Sequence, residues 1–394
     1  MLVIVAPGQG AQTPGFLRPW LEDPIFSDRM HWLSTVAGID LAHHGSESDE
    51  ATIRDTAVAQ PLLVAAGLVA ALQLFPHPSD AFGSVGAASG HSVGEITAAT
   101  GAGVISAEQA MVLVRERGKA MAIAAARTPT SMTAVLGGDR DEVLATLERH
   151  GLTPANDNGP GQIVAAGTVQ QLAALADDTP AKARLAPLSV AGAFHTEHMA
   201  PAVDSLARLA RSITVHDPRL RLVSNQDGQV VHDGTDVVRR IVGQVARPVR
   251  WDLCLQTLSD LGTTGILEMP PAGTLTGIAR RNLKGVATFA LKTPDQLDDA
   301  RAFVQQHADA SPLTDSPTWR LLVAPAKGTF EISGSRGRDD QLKAEERVGT
   351  VRSLRDEIPV VAPYGGHVME WLVEDGDLVS PGQPLVRLHP EAGA

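Results

Sequence analysis

The sequence predicts a mixed α/β protein with a second, all-β part at its carboxyl end, and three observations carry this prediction. Short apolar runs alternate with helical patterns over 1–307, which is typical of a mainly parallel sheet covered by helices. A polar stretch with two prolines follows at 308–318 and is predicted to be a linker. Beyond it, 319–390 contains two similar β-rich halves.

The composition limits the class of protein. Aspartate and glutamate outnumber lysine and arginine by 45 to 33, which argues against nucleic acid or an anionic membrane as a partner. The single cysteine, Cys254, excludes a disulfide framework and a cysteine-clustered metal site, so no metal is predicted. No uninterrupted apolar stretch reaches membrane-spanning length and no basic leader opens the sequence, so we expect a cytoplasmic protein.

The elements of the larger part can be assigned in order. Residues 2–6 form an apolar run that predicts a buried strand, and the strand leads into a loop that reads Pro-Gly-Gln-Gly-Ala-Gln at 7–12. Apolar residues at helical spacing predict a helix over 60–74. A second helix is predicted over 107–126, where a Ser-x-x-Gln capping box marks its start.

A different pattern occupies 129–190. The order strand, helix, strand, strand, helix, strand predicts a small ferredoxin-like subdomain, closed by a strand over 185–190. This insertion divides the α/β core into 1–128 and 191–307.

The carboxyl-terminal part contains an internal repeat. Residues 323–330 read Val-Ala-Pro-Ala-Lys-Gly-Thr-Phe, and 361–368 read Val-Ala-Pro-Tyr-Gly-Gly-His-Val. Two such halves predict a small barrel or sandwich with internal pseudo-symmetry over 319–390.

The segment 90–94 reads Gly-His-Ser-Val-Gly and matches the Gly-x-Ser-x-Gly pattern of a nucleophile elbow. Glycines flank the serine because other side chains would collide in so tight a turn. The turn would expose Ser92 at a helix N-terminus, where backbone N–H groups favour a developing anion. Taken alone, the pentapeptide is equally compatible with a chance glycine-rich turn.

A serine nucleophile needs a base, and His195 has the best context among the 13 histidines. It follows a predicted strand in the Gly/Ala-rich stretch Gly-Ala-Phe-His, where an α/β sheet collects its catalytic groups. His91 is adjacent to Ser92 but must point elsewhere on a sharp turn, so we interpret it as structural.

Arg117 falls on the apolar face of the helix predicted over 107–126. A buried guanidinium requires a partner, since an unpaired buried charge is costly. Two hypotheses remain open: a structural salt bridge, for example to Glu95, or a fork that grips a substrate carboxylate with two hydrogen bonds.

Together these motifs resemble the malonyl-CoA:acyl carrier protein transacylases. The resemblance covers about residues 1–300 and rests on four segments in the right order. They are Pro-Gly-Gln-Gly-Ala-Gln, Gly-His-Ser-Val-Gly-Glu, Arg-x-Arg-Gly-Lys-Ala-Met and Gly-Ala-Phe-His. The resemblance implies an α/β-hydrolase-like core. It also implies that Ser92 carries a malonyl ester, that His195 is base and acid, and that Arg117 binds the malonyl carboxylate.

Further site residues follow from the same resemblance. The oxyanion hole is implied to be the backbone N–H groups of Gln9 and Val93. The carbonyl of Gln244 is implied to orient the histidine in place of an aspartate. Phe194 matches the form of the family that selects malonyl over methylmalonyl groups.

The implied activity is that of an [acyl-carrier-protein] S-malonyltransferase (EC 2.3.1.39). In a ping-pong route, the malonyl group passes from malonyl-CoA to the serine and then to the phosphopantetheine thiol of an acyl carrier protein. No bound cofactor is expected, because malonyl-CoA is the substrate. Fatty-acid and polyketide synthesis both remain open as the destination.

The carboxyl-terminal repeat resembles biotinyl/lipoyl carrier domains of the barrel-sandwich type. Such carriers present a modified lysine on the hairpin that joins their two halves, but 348–358 contains no lysine here. We therefore expect an unmodified, carrier-like domain.

Two other functions remain as rivals. A serine thioesterase or other hydrolase would use the same elbow but pass the acyl group to water. A non-catalytic assembly subunit would rely on the carboxyl-terminal part alone. Arg117 and Gln9 favour transfer over hydrolysis.

Overall fold

The chain divides into two units, Met1–Pro312 and Leu313–Ala394. The computed structural model describes residues 1–190, 192–308, 320–334, 340–353, 356–362 and 365–390. The predicted linker at 308–318 lies outside the described residues, apart from Ala308.

The described part of the first unit contains eleven strands, which belong to two sheets. They are β1 (Leu2–Ala6), β2 (Ala87–Gly90), β3 (Thr130–Gly137), β4 (Thr153–Asp157), β5 (Gln162–Thr168), β6 (Ala183–Pro187), β7 (Arg221–Val223), β8 (Val230–Val231), β9 (Val249–Arg250), β10 (Gly265–Glu268) and β11 (Ala287–Ala290).

Fifteen α-helices accompany these strands in the described residues. They are α1 (Arg18–Leu21), α2 (Pro24–Ala37), α3 (Leu41–Ser46), α4 (Glu50–Arg54), α5 (Thr56–Leu74), α6 (Pro78–Ser84), α7 (Gly94–Gly101), α8 (Ala107–Ala125), α9 (Arg140–Arg149), α10 (Val169–Asp177), α11 (Ala200–Ala210), α12 (Gly234–Gln244), α13 (Trp251–Asp260), α14 (Thr274–Asn282) and α15 (Leu297–His307).

The central sheet has the order β11-β10-β1-β2-β7-β8. All of its pairs are parallel except the edge pair β7–β8. Its central strands β10, β1 and β2 are largely buried, as is expected when helices cover both faces of a parallel sheet. The architecture of this unit is therefore mixed α/β with a mainly parallel sheet.

Helix α5 runs through the core of this unit. Among the described residues it is the one helix long and apolar enough to cross a bilayer by length and composition, but most of it is buried inside the unit. It begins four residues before the predicted start at 60, because the side chain of Asp55 caps the helix by accepting from the N–H of Ala57. Helix α8 begins as predicted, and both hydrogen bonds of its Ser106–Gln109 capping box are present.

The second sheet has the order β6-β3-β5-β4-β9, and its first four strands come from the segment 129–190. With α9 and α10 they follow the order β-α-β-β-α-β, and every pair among them is antiparallel. Strand β9 belongs to the larger body and extends this sheet by pairing with β4 in parallel. The last strand, β6, spans Ala183–Pro187, so it begins and ends earlier in the chain than the strand predicted over 185–190.

The second unit consists of two four-stranded sheets, built from β12 (Arg320–Val323), β13 (Gly328–Ile332), β14 (Gln341–Leu342), β15 (Glu346–Arg352), β16 (Glu357–Ala362), β17 (Gly366–Trp371), β18 (Leu378–Val379) and β19 (Pro384–Pro390). The orders are β12-β19-β17-β14 and β16-β15-β13-β18. If β12, β13, β14 and β15 are exchanged with β16, β17, β18 and β19 in that order, each sheet order becomes the other. The sequence repeat thus corresponds to an internal two-fold relation in the topology.

Candidate active site

Ser92 lies on the turn between β2 and α7, in a left-handed backbone conformation with φ 53°. The two flanking glycines are required by close backbone contacts. A Cβ on Gly90 would lie 1.9 Å from the carbonyl carbon of Gly94, and a Cβ on Gly94 would lie 2.2 Å from the carbonyl oxygen of Ala6. The pattern at 90–94 is therefore a steric requirement of the turn.

The Ser92 hydroxyl lies 2.7 Å from Nε2 of His195, which is 4% exposed. The other ring nitrogen, Nδ1, lies 2.8 Å from the backbone carbonyl oxygen of Gln244. A carbonyl can only accept, so Nδ1 carries the proton and Nε2 is left to accept from the serine. The structure thus brings three of the expected residues together in the arrangement of a dyad oriented by a carbonyl.

Burial, followed by the nearby Arg117 guanidinium, lowers the pKa of His195 to about 3. The imidazole is therefore neutral at pH 7 and can take a proton from the Ser92 hydroxyl.

This pKa predicts an acid-dependent loss of stability. In the unfolded protein His195 is protonated below its ordinary pKa of 6.5, whereas in the folded protein it stays neutral until the pH falls to about 3. The stabilisation is fully present above pH 6.5 and is lost as the pH falls toward 3. Urea unfolding of the wild-type and His195→Gln proteins at about pH 7.5 and about pH 5 should show a smaller pH dependence for the variant.

Glu95 contributes to the pH dependence of the unfolding free energy with the opposite sign. Burial raises the pKa of Glu95 to about 7, so the stabilisation it provides is lost as the pH rises through that value. Glu95 is present in both proteins, so the comparison isolates the histidine. Equal pH dependences of the two unfolding free energies would contradict the prediction.

Arg117 is 1% exposed on α8. Its two terminal nitrogens donate to side-chain carbonyl oxygens, at 2.6 Å to Gln60 and 2.8 Å to Gln244. Among the described residues its Nε has no hydrogen-bond partner and no carboxylate lies within ion-pair distance, so the suggested salt bridge to Glu95 is not formed. Burial lowers the pKa of Arg117 to about 10, which keeps it charged at neutral pH.

The partners of Arg117 are neutral amides, which fix its position without neutralising its charge. Close packing of two helices makes this possible, since a Cβ on Gly118 of α8 would lie 2.8 Å from the carbonyl oxygen of Thr56 on α5. The guanidinium keeps unused donors and a full positive charge in a buried setting. It can bind an incoming carboxylate.

Two backbone N–H groups near the serine are available as donors. Val93 is the N-cap residue of α7, so its N–H belongs to the unpaired first turn. The N–H of Gln9 likewise has no hydrogen-bond partner within the described residues, while its side chain donates to the carbonyl oxygen of Arg54 at 3.1 Å. Both can serve an oxyanion at the elbow.

Phe194 precedes His195 and is buried in the main core cluster of the unit.

His91, interpreted as structural, has Nε2 2.9 Å from the side-chain oxygen of Asn158 and meets the Trp251 ring edge-on. It makes no hydrogen bond to Ser92 among the described contacts.

Several residues of this network were missed by the sequence analysis. Gln60 was assigned only to a helix, and the side chain of Gln244 was given no role beside its carbonyl. Asn225 was not considered at all, although it is fully buried and its Oδ1 accepts from the N–H of Ser92 at 2.8 Å. The available signal was its place in the loop that follows strand β7, just after Ser224, at the carboxyl end of a strand of the parallel sheet.

Comparison with known proteins agrees with this geometry. The acyl transferase domain family matches residues 3–310. The malonyl CoA-acyl carrier protein transacylase of Mycobacterium tuberculosis is 51% identical over 299 residues, which are 76% of this chain and 99% of that protein. The protein of that name from Escherichia coli is 31% identical, over 74% of this chain and 96% of its own length.

Solved structures show the same relationship. The crystal structure of the Mycobacterium tuberculosis transacylase superposes with a TM-score of 0.74 at 50% identity and covers 76% of this chain and 99% of its own. A malonyl-transacylase in complex with its type II polyketide synthase acyl carrier protein superposes with a TM-score of 0.72 at 28% identity, covering 76% and 99%. The chain therefore belongs to the acyl transferase domain family, in the group of the malonyl CoA-acyl carrier protein transacylases.

Proposed function

We propose that this chain transfers the malonyl group of malonyl-CoA to the phosphopantetheine thiol of an acyl carrier protein, through a malonyl ester on Ser92. One observation carries the proposal: Gln244 holds both His195, through its carbonyl, and Arg117, through its side chain. A base and a carboxylate-binding cation are thereby fixed together beside a nucleophile. The names of the relatives support the choice of donor and acceptor.

In the first half-reaction, Nε2 of His195 takes the proton of the Ser92 hydroxyl while the oxygen attacks the thioester carbonyl carbon. The N–H groups of Gln9 and Val93 bind the oxyanion, each contributing about 3 kcal/mol in the transition state. The carbon–sulfur bond then breaks, and the CoA sulfur leaves with the proton from His195.

In the second half-reaction, the carrier thiol gives its proton to His195 and attacks the Ser92 ester. The intermediate collapses by breaking the bond between the acyl carbon and Oγ of Ser92, and Oγ takes the proton back from His195. The serine is restored, and the product is the malonyl thioester of the carrier. The described residues contain no group of three or more potential metal ligands, and the steps above use neither a metal nor a bound cofactor. We place the reaction in the cytoplasm, with neither nucleic acid nor a membrane as partner.

The acyl group is selected at its far end. Arg117 pairs with the malonyl carboxylate, and a neutral acyl group would leave this buried cation unpaired. Phe194 takes up the space that the extra methyl group of a methylmalonyl substrate would need, and so disfavours methylmalonyl groups. Both roles concern the donor and apply equally to fatty-acid and polyketide synthesis.

Intact-mass analysis after mixing with malonyl-CoA tests the proposal against both rivals. The expected result is a malonyl adduct on Ser92 that persists in water and is discharged by a phosphopantetheinylated acyl carrier protein. An adduct lost to water as fast as to the carrier would identify a hydrolase. Absence of any adduct would favour a non-catalytic subunit.

The finer fold assignments belong to the same proposal. The sheet order and the elbow support an α/β-hydrolase-like core at 1–128 and 191–307. The order β6-β3-β5-β4 supports a ferredoxin-like subdomain at 129–190. The two related four-stranded sheets support a biotinyl/lipoyl-like barrel-sandwich at 319–390, which lacks the lysine to be modified.

The second unit is predicted to be dispensable for malonyl transfer. The site residues all precede 310, the acyl transferase family matches 3–310, and 299 residues of this chain cover 99% of a 51% identical relative. Deletion of 310–394 should leave the rate of Ser92 malonylation nearly unchanged, and the unit should stay free of biotin and lipoyl groups in cells that modify other proteins. A mass increment from either group, or loss of acylation in a truncated protein that still melts cooperatively, would contradict this.

A further inference from the structure

Asn225 makes an unusual set of contacts with the nucleophile elbow. Its Oδ1 accepts from the N–H of Ser92 at 2.8 Å, and its Nδ2 donates to the carbonyl oxygen of Gly90 at 2.8 Å. One fully buried amide therefore bonds the chain on both sides of His91, immediately before the left-handed serine. These two bonds require a donor and an acceptor in fixed positions, which an amide supplies and a carboxylate does not.

The surroundings hold Asn225 itself in place. It follows β7, which pairs with β2 in parallel with Val223 opposite Ser89, so both strands end at the same edge of the sheet. The backbone N–H of Asn225 donates to a carboxylate oxygen of Glu95 at 2.5 Å, and its carbonyl oxygen accepts from the N–H of Arg250 at 2.8 Å. Its Oδ1 also accepts from the Gln244 side chain at 3.2 Å.

We infer that Asn225 is a positioning residue for acyl transfer. It holds the backbone of the elbow in place and determines which N–H group of the elbow is free to bind the oxyanion. Because the Ser92 N–H is bound to Asn225, it is unavailable to the substrate, and the N–H of Val93 is left as the elbow's donor to the oxyanion. The inference rests on the proposed transfer at Ser92 and adds the residue that sets its donor geometry. Asn225 itself touches neither the substrate nor His195.

Substitution by aspartate gives a sharp test. An ionised aspartate in place of Asn225 would set an oxygen against the Gly90 carbonyl, whereas a protonated one presents a donor and an acceptor, as asparagine does. Burial and the neighbouring Glu95 should raise the pKa of the introduced carboxyl group. Asn225→Asp should therefore acylate about 100-fold more slowly than wild type near pH 8 and recover most of this loss near pH 5.5, where His195 stays neutral.

The pH profile must be read as a ratio to wild type, since other groups titrate nearby. The titratable and charged groups around position 225 include Glu95 on α7, Arg117 on α8, His195, Arg240 on α12, Arg250 on β9, and Asp252 and Cys254 on α13. They are the same in both proteins.

Two further variants serve as controls. Asn225→Leu has no titratable group and should stay about 100-fold slow at every pH. Asn282→Asp makes the same chemical change where, among the described contacts, the amide donates to the carbonyl oxygen of Ile278 in its own helix, so its pH profile should parallel wild type.

The measurement is single-turnover acylation over a range of malonyl-CoA concentrations up to saturation, scaled to the folded fraction from a melting curve. We expect KM for malonyl-CoA to change little while the acylation rate falls. A purely structural role would lower the melting temperature but leave the rate per folded molecule and its pH profile as in wild type, and that result would overturn the inference. If Asn225→Leu does not fold, the pH recovery of Asn225→Asp decides alone. Absence of a malonyl adduct in the wild-type protein would instead refute the proposed function.

Discussion

The Ser92→Ala protein should form no malonyl-enzyme when mixed with malonyl-CoA. The hydroxyl that lies 2.7 Å from Nε2 of His195 is then missing, and no other side chain among the described residues makes a hydrogen bond to the imidazole of His195. His195→Ala should retain the nucleophile but slow its acylation by about three or more orders of magnitude, because the proton has no acceptor. Intact mass over time, with peptide mapping of the adduct, measures both effects.

Ser89→Ala provides a matched control for this experiment. Its hydroxyl lies on the adjacent strand β2 and donates to the carbonyl oxygen of Val223, away from the histidine. It should be malonylated on Ser92 at close to the wild-type rate. Full malonylation of Ser92→Ala at another residue would refute the elbow assignment.

Arg117→Ala should change which acyl group the protein accepts. Without the guanidinium, the malonyl carboxylate would enter a buried site unpaired, at a cost of a few kcal/mol and therefore tens- to thousands-fold in rate. Acetyl transfer should lose little or even increase, since an acetyl group has no carboxylate. The measurement is acyl-enzyme formation from malonyl-CoA and acetyl-CoA in parallel, with a melting curve for each protein.

Two further variants sharpen this result. Arg117→Lys should restore malonyl transfer only in part, because an ammonium cannot reproduce the two-pronged hydrogen bonding of arginine. Arg115→Ala removes a cation from the same helix that is paired with Glu116, so it should alter neither donor's rate. If Arg117→Ala slowed malonyl and acetyl transfer equally and lowered the melting temperature, Arg117 would be a structural residue.

The sequence predicted the parts of the site that depend on local backbone geometry. Ser92 could be identified because its turn excludes side chains at Gly90 and Gly94, and this exclusion leaves a readable pattern. His195 could be identified from the small residues before it and its place after a strand. In both cases the reason lies within a few residues of the functional group.

The contacts that hold Arg117 could not be predicted in this way. Its two amide partners are 57 and 127 residues away in the sequence, and glutamine has no pattern that marks it as a ligand of a buried cation. The only prediction possible was that a partner must exist, and the charged residue Glu95 was the natural candidate. The structure instead uses neutral Gln60 and Gln244, which leave the charge of Arg117 without an ion-pair partner among the described residues.

The pairing of β4 with β9 has a mechanical consequence. It ties Asn156 and Asp157 of the small sheet to Val249 and Arg250, a few residues after the carbonyl that orients His195. Because the two strands are paired, we expect a displacement of β4 to shift β9 and, a few residues earlier in the chain, the Gln244 carbonyl that orients His195. Substitutions near β4 should therefore be able to lower the rate of acyl transfer although they contact no reacting atom.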